Sequence, residues 1–373
     1  MRKFLQKIFK IISYFLFSKV HGKIEKSIES NSDERIKIKI VNIEKDLKYK
    51  VYKIFNGRLY TDRVHDTAVI LDNKIIDGPS FQQRYYEDSQ MYNSKVEDNI
   101  VFTKGTPRKL RNLDGLILSL LTGGGGNNSY WHWLFDVLPR LCLCSKAVNL
   151  KEIDYFLLPN LLKKFQNETL DYLGIPKNKR LSSEKFRHIK ARELIVTDHP
   201  WYVTGDAAVD NNNQPNWIAG WLRDNFINSN MVTEVKERKK IYIDRGIKTN
   251  QPIQRSIANE DEVKGELLKN NFIPVKLHEI SFREQVNLFY NAKCVVGLHG
   301  AGFANLVFCK FGTKVIELRN PTSGDSIKNI SKKNNLNYDP ITVEAKQIHK
   351  LNFPNQHGSH QIPINSLIKK LEN

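Results

Sequence analysis

The stretch Cys294-Val-Val-Gly-Leu-His-Gly-Ala-Gly-Phe-Ala-Asn-Leu-Val-Phe308, followed by Gly312-Thr-Lys-Val-Ile-Glu-Leu318, decides how the C-terminal half of this chain folds. Residues 293–298 read as a buried strand, His299, Gly300, Ala301 and Gly302 as a tight turn, the residues from Gly302 as a short helix, and 313–318 as a second buried strand. A strand that passes through a Gly-rich turn into a helix N-terminus presents backbone N–H groups and the positive end of the helix dipole, a ready seat for phosphate. Gly300 and Gly302 are expected to permit close backbone approach, and His299 to add a donor beside the anion. Glu317, at the end of the second strand, stands where an open α/β sheet would contact a ribose; a glutamate merely facing solvent is the competing reading.

The same alternation extends outward. Strands at 240–243, 272–275, 293–298, 313–318 and about 338–343 are separated by helices starting near Asn259, Ser281 and Gly302, which predicts a parallel sheet covered on both faces. Upstream, Ile36, Ile38 and Ile40 alternate with Lys37 and Lys39, the pattern of a sheet with one wet face. An apolar run at 116–121 leads through Gly123–Gly126 to a helix from Ser129 toward Ala147, with a kink expected at Pro139. Residues 205–215 read as a loop and 216–228 as a helix. The polar stretch 231–240 is the expected interdomain linker, giving segments 1–20, 21–230 and 231–373, with a last helix at 365–372 that could return to the N-terminal domain.

With 373 residues the chain exceeds one average domain. Its 58 Lys+Arg outweigh 40 Asp+Glu by 18 charges, which favours anionic partners unless the lysines are simply scattered and solvated. Phe4, Leu5, Ile8, Ile11, Ile12, Phe15 and Leu16 recur at helical spacing, with Arg2, Lys3, Lys7 and Lys10 toward the other side. The apolar stretch is shorter than the roughly 20 residues that span a bilayer. A basic amphipathic helix lying on an anionic membrane surface fits, and a helix docked on its own protein competes with it. Cys142, Cys144, Cys294 and Cys309 sit in apolar runs without zinc-ligand spacing, so they read as buried packing in a cytosolic protein.

His132 and Asp136, four apart, share a helix face, where a carboxylate-supported imidazole could act as general base; either residue alone could serve, and a structural hydrogen bond is the alternative. Arg245 and Arg255 could supply fixed positive charge beside the 299–302 turn, and Asn305 could cap the helix or reach a phosphate. No Asp-x-Asp pair follows a strand, and Glu260-Asp-Glu262 opens a helix, so no metal ligand is expected. The four glycines 123–126 lack a P-loop ending and a dinucleotide fingerprint, and read as a mobile or acceptor-side loop.

Three blocks taken together carry a resemblance: Asn128-Ser-Tyr-Trp-His-Trp-Leu-Phe-Asp-Val-Leu-Pro-Arg140; Ile241-Tyr-Ile-Asp-Arg245 with Arg255-Ser-Ile-Ala-Asn-Glu-Asp-Glu262; and His299-Gly-Ala-Gly-Phe-Ala-Asn305 through Glu317. In this order the chain resembles glycosyltransferase family 61, of the bacterial capsular polysaccharide biosynthesis type. The resemblance implies an α/β, GT-B-like fold with two Rossmann-like domains facing an interdomain cleft. It further implies an inverting sugar transfer from a nucleotide-sugar donor, taken as UDP-linked although GDP and CMP fit the residues as well. The metal-free route is expected, and no cofactor. The acceptor would be a glycan or lipid-linked oligosaccharide of capsule or lipopolysaccharide synthesis at the inner face of the cytoplasmic membrane. Ser256 stands where members often carry a second arginine, which leaves Arg255 less backed. A non-catalytic binder of anionic polymer or lipid is the alternative; a nucleic-acid binder lacks a supporting motif.

Overall fold

The computed structural model describes residues 2–24, 26–29, 31–44, 46–61, 67–80, 83–85, 91–93, 96, 99, 101, 108–121, 129–227, 231–246, 255–346 and 358–372. The 123–126 glycines and Asn128 lie outside the described residues. The chain is mixed α/β and forms two compact units, Met1–Tyr86 with Met91–Asp210, and Glu87–Gln90 with Asn211–Asn373.

In the C-terminal unit every pairing of the main sheet is parallel. Its spatial order is Phe272–Val275, Lys239–Ile243, Ala292–Leu298, Lys314–Arg319, Asn337–Tyr338, with Ile341–Thr342 extending the last edge. Counted along the chain this is 2-1-3-4-5. Strand order therefore reverses between Lys239–Ile243 and Ala292–Leu298, and ligands of open α/β sheets bind outside the carboxyl ends at such a switch point. Arg245 and His299 follow those two ends. Successive strand residues point to opposite faces. Tyr242, Cys294, Val296, Leu298, Ile316 and Leu318 thus share one buried cluster with Val263 and Leu267 of helix Glu260–Lys269.

The unit boundary falls at Asp210/Asn211, upstream of the expected linker at 231–240. Helix Asn216–Phe226 belongs with the C-terminal unit because Phe226 is fully buried against Phe282, at 4.8 Å between ring centroids, and near Phe308 at 6.2 Å. Residues 205–215, expected as loop, contain helix Ala207–Asn212. Asp206 caps it by accepting from the N–H groups of Ala208 and Val209. The last helix, Ile364–Glu372, stays with the C-terminal unit: Leu367 is buried with Val263, Leu267 and Phe272, so this amphipathic face has no need of another partner.

The N-terminal unit carries a ten-stranded mixed sheet. Strands His188–Thr197, Arg111–Ser119, Tyr155–Leu158 and Arg180–Ser182 run parallel in that order, and antiparallel strands Leu47–Phe55 and Arg58–Thr61 join His188–Thr197 from the other side. Only part of this sheet is therefore of the parallel kind a Rossmann-like domain requires. In strand Ile36–Glu44 the alternation holds at its start, where Ile36 is buried, but Ile40 is exposed as the strand runs past the core.

Helix Arg2–His21 docks through its last turns only. Phe17 is fully buried against Tyr60 and His21, while Phe4, Leu5, Ile8, Phe9, Ile11, Ile12, Phe15 and Leu16 are exposed. Among the described residues no helix is long and apolar enough to cross a membrane.

Candidate active site

Two clusters emerge, one in each unit. In the N-terminal unit the helix that follows strand Arg111–Ser119 is not uniform. Tyr130–His132 is α-helical, Trp133–Val137 widens into a π-turn, and Pro139–Ser145 is α-helical again. Pro139 has no N–H to give, and the Leu138 N–H bonds the Trp133 carbonyl at 3.1 Å, five residues back. The expected kink at Pro139 is thus a widened turn just before it. His132 precedes this turn and Asp136 lies within it, and the two still meet: His132 Nδ1 lies 2.8 Å from Asp136 Oδ2.

Asp136 is fully buried and held from several sides. Trp201 Nε1 donates to Oδ1 at 2.6 Å, His199 Nε2 lies 3.9 Å from Oδ2, and Arg140 Nε donates to the backbone carbonyl at 3.1 Å. Arg140 is itself anchored on the Thr197 carbonyl. Strand His188–Thr197 ends just before His199 and Trp201, so the cluster forms beyond the carboxyl ends of two adjacent parallel strands. Burial pushes Arg140 down to about 10 and His199 down to about 3. For Asp136 burial works against ionisation, but His132, His199 and the Trp201 N–H outweigh it and hold the carboxyl below its usual range. Burial likewise disfavours the His132 imidazolium, and the Asp136 charge and hydrogen bond reverse this, so its pKa stands above that of an ordinary histidine. A carboxylate only accepts, so Nδ1 carries the proton. Nε2 holds the lone pair of the neutral ring, on a side chain still 26% exposed.

Trp201 and His199 were missed from the sequence. Their partner lies more than sixty positions away, and the one available signal was their place just after a buried strand.

In the C-terminal unit Arg245, Arg255 and the histidine turn are brought together. Arg245 Nη1 and Arg255 Nη1 both donate to the His299 carbonyl, at 3.1 and 2.7 Å. Burial lowers both guanidinium pKa values; Arg255, also repelled by Arg245, falls to about 10. Two like charges on one carbonyl are a field that an anion would relieve. They line an open hollow with Tyr242, Ser256, Glu260 and Leu298. Glu260 is balanced there by Lys264 at 3.2 Å.

Both glycines of the turn are closely hemmed by side chains of the protein itself. Gly300 is extended, and a Cβ there would stand 3.3 Å from Arg245 Nη1. At Gly302 a Cβ would stand 2.9 Å from Leu277 Cδ1 and 3.1 Å from Ile243 Cγ2. Gly302 is therefore needed by the packing of the protein itself. Gly302→Ala should cost about 1–3 kcal/mol by overpacking, read from a urea melt. The expected short helix is a 3₁₀ helix, Ala301–Phe308.

Asn305 does not face a ligand: it is fully buried, and its Nδ2 donates to Gln285 Oε1 and the Gly302 carbonyl, bracing the turn from behind. Glu317 is also fully buried. One oxygen meets His299 Nδ1 and the other accepts from Tyr338 Oη at 2.5 Å, so its carboxylate is used inside the protein rather than extended toward a ribose. Among the described residues no group of three or more His, Cys, Asp or Glu is placed to hold a metal ion.

Among curated proteins none matches the chain. The glycosyltransferase 61 family profile matches residues 130–316, just over half of the 373 residues. The match contains the His132 cluster, both arginines and the histidine turn, and stops one residue before Glu317. With both clusters inside that match, the chain belongs to the glycosyltransferase 61 family, whose members move a sugar from a donor to an acceptor.

Proposed function

We propose that this protein is an inverting, metal-independent glycosyltransferase of GT-B type that uses a nucleotide sugar, taken as UDP-linked. The convergence of Arg245 and Arg255 on the His299 carbonyl, at the switch point of a parallel sheet, carries this reading. Negative charge grows on the departing nucleoside diphosphate, and preorganised cations stabilise it without reorganising at the moment of reaction. In the N-terminal unit neutral His132 takes the proton of the acceptor hydroxyl at Nε2, while Asp136 holds the ring's tautomer and stabilises the imidazolium that forms. The acceptor oxygen attacks the anomeric carbon opposite the diphosphate; the new C–O bond forms as the sugar–phosphate bond breaks.

A thermal-shift screen with UDP, GDP, CMP and their sugars tests the donor assignment. The true nucleotide should raise the midpoint, since a ligand at 100 times its Kd adds about 2.7 kcal/mol. No shift with any of them would leave only binding of an anionic polymer or lipid.

The pH profile follows from the same geometry. The base must be unprotonated, so kcat/KM should fall as pH drops through a His132 pKa above the ordinary histidine value of about 6.5. Asp136→Asn removes the charge that raises it while burial remains, so this limb should move to lower pH and kcat should fall. A limb that stays in place in Asp136→Asn would detach His132 from the profile.

We further propose that the acceptor is a lipid-linked or growing surface glycan at the inner face of the cytoplasmic membrane. The exposed Phe4, Leu5, Phe9 and Ile12 of the basic first helix support this. Phe9→Glu with Ile12→Glu should lower binding to anionic vesicles by at least about tenfold, since each buried apolar side chain contributes about 1.5–3 kcal/mol. Equal co-sedimentation of variant and wild type would contradict it.

A further inference from the structure

Three side chains on two neighbouring strands form one hydrogen-bonded chain that ends at His299 in the turn. Arg319 Nη1 donates to Tyr338 Oη at 3.2 Å, the Tyr338 hydroxyl donates to Glu317 Oε2 at 2.5 Å, and Glu317 Oε1 faces His299 Nδ1. Burial and the Glu317 charge keep the phenol of Tyr338 well above its ordinary pKa, so it remains a donor. With a carboxylate on Nδ1, His299 carries its proton there, and the neutral ring keeps its lone pair on Nε2.

The charges facing His299 are unequal. Glu317 and Arg319 come from strand Lys314–Arg319, with Tyr338 behind them; Arg255 opens strand Arg255–Ile257, and Arg245 follows strand Lys239–Ile243 and bonds the histidine's own carbonyl. One carboxylate thus faces the ring against three guanidinium groups, of which Arg319 is also paired with Asp325 at 3.0 Å. Burial lowers the His299 pKa, Glu317 opposes this, and Arg255 and Arg319 lower it further, so the ring is neutral at neutral pH. A diphosphate placed against the turn reverses that balance. A protonated Nε2 could then give it a charge-assisted hydrogen bond.

We infer that His299 takes up a proton from solvent at Nε2 when a nucleoside diphosphate seats in the turn and returns it when the nucleotide leaves, with Glu317 and Tyr338 as positioning residues. Donor capture is then proton-coupled. Between the free and bound pKa values of His299, affinity falls as pH rises, by at most about tenfold per unit. This inference rests on the reading of the turn as the donor site, and it assigns Glu317 to the histidine.

Isothermal titration of the full chain with UDP at pH 7.5, in Hepes and in Tris, measures the coupling. The terminal phosphate of UDP, with a second pKa of about 6, has already lost that proton, so uptake belongs to the protein. The expected result is uptake of roughly 0.5–1 proton per UDP bound in wild type and none in His299→Gln, which still binds more weakly. Heats independent of buffer in wild type, with UDP bound, would overturn the coupling and leave the donor site standing, as would uptake that persists in His299→Gln. Absence of binding by UDP and GDP alike would remove the donor site and the coupling together. Tyr338→Phe supplies a second readout. Freed of the hydroxyl, Glu317 attracts the imidazole proton more strongly, so NMR titration should show a higher His299 pKa in the nucleotide-free protein. A tyrosine of purely structural use would leave that pKa in place.

Discussion

His132→Ala is expected to lower kcat by about 10²–10⁴-fold while leaving the affinity for UDP unchanged, because the residue belongs to the N-terminal unit and acts on the acceptor proton. The substitution also removes a hydrogen-bond donor to buried Asp136, and a buried carboxylate stripped of a partner destabilises the fold. His132→Gln separates the two effects. Its amide can still donate to Asp136 Oδ2 but cannot accept a proton at neutral pH. It should therefore melt close to wild type and lose turnover as His132→Ala does. A well-folded His132→Gln enzyme with wild-type kcat would remove the imidazole from the mechanism and return it to a structural bond.

Arg255→Ala should lower kcat by about 10²–10³-fold, the usual cost of deleting one preorganised donor to a developing oxyanion. It should also weaken UDP binding by about 10–100-fold, since a hydrogen bond to a charged group contributes about 1.5–3 kcal/mol. The neighbouring position is Ser256, which also lines the hollow and brings no charge to replace it. Arg255→Lys keeps a cation and loses the planar fork, so an intermediate loss is expected. Stopped-time assays of nucleotide release, run beside UDP titrations, give both numbers. Retention of both kcat and affinity in Arg255→Ala would leave the guanidinium as a mere brace for the His299 carbonyl.

The C-terminal unit was legible because burial on both faces writes its strands as mostly apolar runs, as in 294–298 and, apart from Glu317, 315–318, and because Ser281 and Glu284 form a capping box at the helix Phe282–Tyr290. The meeting of Arg245, Arg255 and His299 was an expectation from type and order; the 2-1-3-4-5 sheet gives a cause for Arg245 and His299 by setting two strand ends side by side, while Arg255 comes from strand Arg255–Ile257 of a separate three-stranded sheet. Glu317 was misread because a strand-end carboxylate gives no sign of which way it points. Register decides it: Glu317 pairs with Gly297, and the His299 N–H bonds the Leu318 carbonyl, so the histidine folds back over the glutamate. The use of Asn305 stayed open for a similar reason, its partner Gln285 lying on another helix. The π-turn leaves no trace in sequence periodicity, since His132 and Asp136 meet at a four-residue spacing in either geometry. Trp201 and His199 carry no local motif, and their use appears only when two parallel strands end side by side. The unit boundary at Asp210/Asn211 was hidden inside a short capped helix, while the polar 231–240 stretch that drew attention lies within the second unit.

A crystal structure with UDP bound most directly tests whether the turn at 299–302 and its two guanidinium groups receive the leaving diphosphate. The phosphate oxygens should lie within about 2.7–2.9 Å of Arg245 or Arg255 nitrogens, beside His299. A nucleotide seated elsewhere, with both arginines still bound only to the His299 carbonyl, would contradict the account.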